Sequence, residues 1–302
     1  MNPVVVLVTG AAGFAGSHLV EHLNSCGIHA VGWDRRQVDL LDRDTVRASM
    51  RQLRPAAIYH CAGAPHVASS WDNTTATLAT NVRATDNLLD AVRRAGQPCR
   101  VLLTGSAMVY ASTEEALTED HRLMPSSPYG LSKLAQERLG RRSLVEDGID
   151  VVLTRSFNHT GPRQDPSFAA SGFARQLALI ETGLAEPVLR VGNLEARRDL
   201  TDVRDTVRAY RLLLECGRPG EVYNVCSGIA YAVHEIVDGL LRRVTVPVRN
   251  EIDPARLRPS DTPVLLGSPA RLRSTTGWTP EISFDRMLDD LLEYWRAAVR
   301  LV

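Results

Sequence analysis

A chain of 302 residues with 44% hydrophobic content is long enough for one large domain, or two intimately joined ones, with a real core. Its 35 basic and 35 acidic residues cancel, which excludes the smooth positive field of a nucleic-acid binder, and no run of like charges marks a tail. Nowhere do eighteen apolar residues run together, and the start, MNPVVVLVTGAAG, has neither a basic leader nor a small-residue cleavage pattern, so a cytoplasmic chain without a membrane span is expected.

The first half alternates β-branched apolar runs with helical stretches. VVVLVTG precedes a helix over 14–26, HAVGWD one over 42–53, AAIYHCAG one over 75–96, and CRVLLTGSA one over 129–146; IDVVLTRSFN follows. Continuous apolar strands separated by amphipathic helices predict a doubly wound parallel α/β sheet, a Rossmann fold, over residues 1–157. Beyond about residue 158 the alternation loosens into a smaller region, 158–302. Helices are predicted near 170–182, 203–216, 232–243 and 284–300, and the strand at 221–226 is apolar enough to rejoin the first sheet. The stretch 253–280 reads as loop-rich and carries four arginines. Cys26, Cys61, Cys99, Cys216 and Cys226 are odd in number and lack C-x-x-C spacing, which argues against a disulfide framework or a zinc site and for buried, reduced thiols. No metal is expected.

Glycines at 10, 13 and 16 stand in TGAAGFAG, directly after the first strand and at the mouth of a helix. There backbone amides around Gly10, Gly13, Phe14, Ala15 and Gly16 can approach a pyrophosphate. At the end of the second strand, Asp34 would accept both ribose hydroxyls of NAD, whereas Arg35 and Arg36 would hold the 2′-phosphate of NADP. The choice between NAD and NADP stays open. Asp39 and Leu40 in VDL, and Ala62 and Gly63 in CAG, each follow a sheet element and could close over the adenine and ribose; ordinary turn residues would look the same.

Among 35 Lys plus Arg, Lys133 is the one lysine, and it stands four residues after Tyr129 in SPYGLSK. On a helix the two share a face, and Pro128 suits the first turn. A nearby ammonium would draw the phenol pKa down towards the working range and make Tyr129 a usable acid or base. Thr104 and Ser106, in LLTGSAMVY, fall at the carboxyl edge of the fourth strand, where Ser106 could hydrogen-bond the same substrate oxygen. Glycine turn, acid, serine and tyrosine–lysine pair, in that order, predict a carbonyl–alcohol interconversion site beside a nicotinamide.

At this point the chain resembles the extended short-chain dehydrogenase/reductase family over essentially its whole length. The second half is similar to the GDP-mannose-processing branch through RSFNHTGPRQ (155–164), RRDLTDVRDTVRAY (197–210), VYNVCSG (222–228), RPSD (258–261) and LLGSPARLRSTTGWTP (265–280). The resemblance implies that Asn158 touches the sugar-nucleotide phosphates, that Arg198 and Arg258 grip the diphosphate, that Asp261 accepts from the nucleotide ribose, and that Asn81 lies on the cofactor side. It also implies a homodimer built on the helices at 75–96 and 129–146; Leu88, Leu89 and Val92 would equally serve to cover the sheet. The dehydratases of this branch carry an acidic pair directly after the serine or threonine, where this chain has Ala107 and Met108. Elimination of water therefore lacks its proton-exchanging groups, and ketone reduction does not. The expectation is NAD(P)H-dependent reduction of the 4-keto group of a nucleotide-linked 6-deoxyhexose, GDP-linked by the resemblance. A 4-epimerase that retains NAD⁺ uses the same three residues and is the alternative; a silent nucleotide-sugar sensor is a third.

Overall fold

Three apolar residues and a threonine make up Val6–Thr9 (β1), which is buried throughout, as a strand covered on both faces must be. The computed structural model describes residues 5–257 and 262–300. After β1 come Phe14–Ser25 (α1), Ala30–Trp33 (β2), Arg43–Leu53 (α2) and Ala57–His60 (β3). Ser69–Asp72 (α3) and Thr74–Leu78 (α4) lead through a π-helical turn, Ala79–Arg83, into Ala84–Ala95 (α5), so the helix predicted over 75–96 is interrupted. Arg100–Ser106 (β4), Pro128–Asp147 (α6) and Val151–Ser156 (β5) follow. The six-stranded parallel sheet runs β2-β1-β3-β4-β5 and is completed by Val222–Val225 (later β9), which pairs with β5.

Alternate side chains of each strand go to opposite faces. Leu7, Ile58, Val101, Leu103, Val151 and Leu153 pack against α2 and α5 on one side. Val6, Val8, Tyr59, Leu102, Val152 and Tyr223 pack against α1 and Val203–Cys216 (later α8) on the other. Leu88, Leu89 and Val92 are 0%, 1% and 4% exposed within the first of these cores. They cover the sheet, so a pairing through α5 and α6 would use what the helices leave outside, such as Leu131 and Val145.

The rest of the chain supplies Asn158–Thr160 (β6), Ala169–Glu181 (α7), Val188–Val191 (β7), Arg197–Asp202 (β8) and then α8 and β9. Ala230–Ala232 (β10), Val233–Leu241 (α9), Arg249–Ile252 (β11), Val264–Leu265 (β12), Ala270–Thr276 (α10) and Phe284–Val299 (α11) complete it. β8 sits between β10 and β12 and also pairs with β6, while β7 pairs with β11. A third core of α7, α9 and α11 residues, including Leu177, Leu240 and Leu288, backs this part. Among the described residues no helix is long and apolar enough to cross a membrane. The thiols are not uniformly buried: Cys26 and Cys216 lie on exposed helix ends, and Cys226 alone is fully enclosed.

Candidate active site

The strand order reverses at β1, where the chain leaves first for β2 and later for β3. A crevice opens at such a switch point beyond the carboxyl ends of the strands. Here it is a cleft of about 360 Å³ lined by Gly10, Gly13, Phe14, Ala15, Gly16, Gly63, Thr104, Ser106, Tyr129, Lys133, Asn158 and Arg198. These are the sequence-singled residues that the fold brings together. Asp34, Arg35, Asp39, Leu40, Ala62 and Asn81 lie outside that lining. Arg258 and Asp261 lie outside the described residues.

The glycine turn suits an anion. Gly10 has φ +69°, and a Cβ there would meet Ala62 N at 2.7 Å; a Cβ on Gly16 would fall 2.1 Å from Gly10 O. Gly13 begins α1 with no side-chain cap, so the first amides of the helix keep their hydrogens for a ligand at the positive end of the helix dipole. These features fit a dinucleotide pyrophosphate.

Around this turn the excluded residues have local partners. Asp34 Oδ1 accepts from the amides of Arg36 (2.8 Å) and Gln37 (2.9 Å), closing the turn after β2, and Arg35 is exposed. Asp39 Oδ1 accepts from Leu41 N, and Leu40 is buried in the sheet core. Ala62 N reaches Thr9 Oγ1 at 3.4 Å. Asn81, fully buried in the π-helical turn, accepts from Ala64 N (2.7 Å) and donates to Ser132 Oγ (2.8 Å). It therefore pins the loop after β3 onto α6 and does not face the cleft.

Helix α6 places the tyrosine and lysine. Ser127 Oγ accepts from Gly130 N as the N-cap, Pro128 takes the first helical position, and Tyr129 follows in the first turn, 9% exposed. Ser106 ends β4 and caps the helical turn Ala107–Val109 by accepting from Met108 N (3.2 Å), which leaves its own hydrogen to donate, in this state towards Tyr129. Lys133 Nζ donates to Thr104 O (2.8 Å) and to Gln136 Oε1 (2.9 Å).

The electrostatics differ from the expectation in one respect. Burial raises the Tyr129 phenol above its ordinary value, and the opposing pull comes from a hydrogen bond with Ser106 rather than from the Lys133 ammonium. In this state Tyr129 is a neutral phenol, hence a proton donor. Burial also draws Lys133 down to about 8, with Cys61 pulling weakly the other way. Residue spacing carries no information on burial, which decides the sign at Tyr129.

Several lining residues escape sequence reasoning. His159, Gln164, Phe168 and Tyr210 all face the cleft. His159 stacks on Phe14 with ring centroids 5.8 Å apart, and Tyr210 Oη shares a 2.7 Å hydrogen bond with Ser156 Oγ. His159 and Gln164 lie inside the RSFNHTGPRQ stretch and Tyr210 closes RRDLTDVRDTVRAY, so the motifs pass through them without marking their roles; Phe168 gives no local sign. Asp199, beside Arg198 on β8, faces away from the cleft and accepts from Ser227 N and Gly228 N at 2.8 and 2.9 Å and from Gly267 N at 3.3 Å, tying β8 to the loops after β9 and β12. No group of three or more metal-ligating side chains occurs among the described residues.

A doubly wound sheet with a glycine turn at its switch point and a serine, tyrosine and lysine at its carboxyl edge defines a short-chain dehydrogenase/reductase. The chain belongs to the GDP-mannose 4,6 dehydratase family, whose sequence model matches residues 36–291. It is 36% identical to the GDP-6-deoxy-D-mannose reductase of Pseudomonas aeruginosa, across 98% of both chains. A solved structure of RMD from Pseudomonas aeruginosa complexed with NADPH superposes with a TM-score of 0.91 at 34% identity, over 97% of this chain and 99% of that one. UDP-glucose 4-epimerase of Thermus thermophilus in complex with NAD gives a TM-score of 0.86 at 28% identity, over 97% and 99%.

Proposed function

We propose that the protein reduces the 4-keto group of a nucleotide-linked 6-deoxyhexose with a reduced nicotinamide dinucleotide, converting GDP-4-dehydro-6-deoxy-D-mannose to GDP-D-rhamnose. When bound, the dinucleotide supplies the hydride that the carbonyl carbon accepts. Ser106 donates to the carbonyl oxygen and orients it. Tyr129, kept protonated by its burial, delivers the phenolic hydrogen to that oxygen as it turns negative. Lys133 holds a cofactor ribose hydroxyl and adds positive charge beside the developing alkoxide. The turn from Gly10 to Gly16 takes the pyrophosphate, and Asn158 and Arg198, which line the same cleft, hold the sugar nucleotide, with Arg258 and Asp261 assigned to the same ligand.

One observation carries the reading: Ser106, Tyr129 and Lys133 line a single cleft in which the two residues following the serine, Ala107 and Met108, have no proton to exchange. Dehydration of a hexose needs an acid and a base there; reduction does not. The likeness to the GDP-6-deoxy-D-mannose reductase supports the same choice. The test is to supply NADPH or NADH with the GDP-linked 4-keto-6-deoxymannose, follow loss of the reduced-nicotinamide absorbance, and identify the product by NMR, with UDP- and dTDP-linked ketosugars as controls. Oxidation of neither cofactor with any ketosugar overturns the proposal. Turnover without added reductant, by protein that purifies with bound nucleotide, replaces it with 4-epimerisation.

A further inference from the structure

The side chain that accepts from the Lys133 ammonium is an amide. Gln136 follows Lys133 by three residues on α6, so the two are neighbours on one helix face. Its Oε1 lies 2.9 Å from Lys133 Nζ, and the other acceptor, Thr104 O at 2.8 Å, is equally neutral. Gln136 is 1% exposed, and its Nε2 has no partner in the structure. Turning the amide over would set that nitrogen, a donor, against the ammonium, so the observed orientation is imposed by Lys133. A residue present only to fill space here would serve better as methionine or leucine, which bury no orphan donor.

The surroundings are short of negative charge. Cys61, from the loop after β3, is a neutral thiol because burial pushes it up to about 12. His60, on β3, is held neutral by burial, down at about 3. Tyr129 on α6 and Tyr210 on α8 are both raised by burial and so uncharged. Glu137, the nearest carboxylate in sequence, is clasped by Arg155 at 2.8 and 2.9 Å and approached by Arg141 at 3.5 Å.

We propose that Gln136 is a positioning residue for Lys133: its amide oxygen fixes the ammonium at the cleft wall as a neutral acceptor, leaving the positive charge uncompensated and the third N–H available to a bound ligand. This rests on the reading of Lys133 as a contact to the dinucleotide. The charge then acts on the ligand and is not quenched by a partner carboxylate.

Lys133 is the chain's one lysine, so protein labelled with ¹³C at the lysine ε-carbon gives a single side-chain amine signal that can be titrated in the full-length, ligand-free protein. In the parent chain the midpoint is expected near 8. Gln136→Glu places a carboxylate at the same position and should raise the midpoint by about one pH unit or more; Gln136→Met removes the acceptor and should lower it. NADPH affinity of Gln136→Met should fall several-fold, most steeply at alkaline pH. A common midpoint in all three folded proteins overturns the proposal and leaves Gln136 as packing. Melting curves establish folding; should Gln136→Glu unfold, the parent and Gln136→Met decide the matter alone. Failure of the reductase reading is seen separately, as absence of ketosugar reduction with the lysine midpoints still displaced.

Discussion

Helix α6 carries a buried base and a buried acid one turn apart, Lys133 and Glu137, and the protein treats them in opposite ways. Glu137 meets Arg155 in a two-pronged pair whose side chains are 4% and 3% exposed. The guanidinium also donates to Tyr110 Oη and Glu119 O and lies 4.8 Å over the Tyr110 ring. Tyr110 Oη in turn donates to Asn224, which is tied to Glu119. All three guanidinium nitrogens are engaged, and the cluster locks α6, β5, β9 and the loop at 110–119 to one another. Lys133, four residues earlier, has only neutral acceptors. A buried charge with full counter-charge is a structural tie; one held by dipoles alone keeps its field for something not yet bound.

Replacing Tyr129 by Phe tests the functional end most severely. Proton delivery by a placed acid contributes roughly 10²–10⁴ in rate, so turnover should fall by that factor while NADPH titration and melting temperature stay close to those of the parent; a loss below about tenfold would move proton delivery elsewhere. Glu137→Leu tests the structural end. It leaves Arg155 buried without its partner and should cost about 3–5 kcal/mol in urea denaturation, whereas Glu137→Leu with Arg155→Leu should recover much of that loss. His60 sharpens the contrast through pH. It is wedged between Thr9 Oγ1 (2.7 Å) and Thr85 Oγ1 (2.9 Å), and its protonation is suppressed to about 3. The unfolded chain takes up a proton near pH ~6.5 that the folded chain refuses. The contribution of His60 is therefore intact above that pH and declines as pH falls towards 3, by up to about 1.4 kcal/mol per unit. His60→Gln should flatten this part of the stability profile. The smallest effect belongs to an exposed arginine: Arg286, 68% exposed and bonded to Asp290, which Arg204 also holds, should change stability by no more than about 0.5 kcal/mol when replaced by Ala.

What could be read from the sequence follows the range of the forces involved. The parallel sheet was legible because continuous apolar runs such as VVVLVTG and CRVLLTGSA encode burial on both faces locally. The tyrosine and lysine were legible because four residues on a helix is a short distance whatever surrounds it. The strands β6, β8, β10 and β12, two to six residues each, were not legible: they exist through pairing with segments tens of residues away, and a two-residue strand has no period. The interruption of the 75–96 helix was equally hidden, since the π-helical turn is held by Asn81 reaching Ala64 and Ser132. The rise of the Tyr129 phenol depends on what lies over it, which spacing does not report.

The return of β9 to the edge of the parallel sheet has a bearing on how the protein is made. Until residues 222–225 emerge from the ribosome, β5 has an unpaired edge and Val152 lacks Tyr223 as a neighbour in its core. The nucleotide half is thus completed only after α7, β8 and α8 have been synthesised, so a fragment ending at residue 157 would present a sticky strand instead of an autonomous unit. Completion of the first sheet is thus tied to the same segments that bring Leu200 and Tyr210 to the cleft.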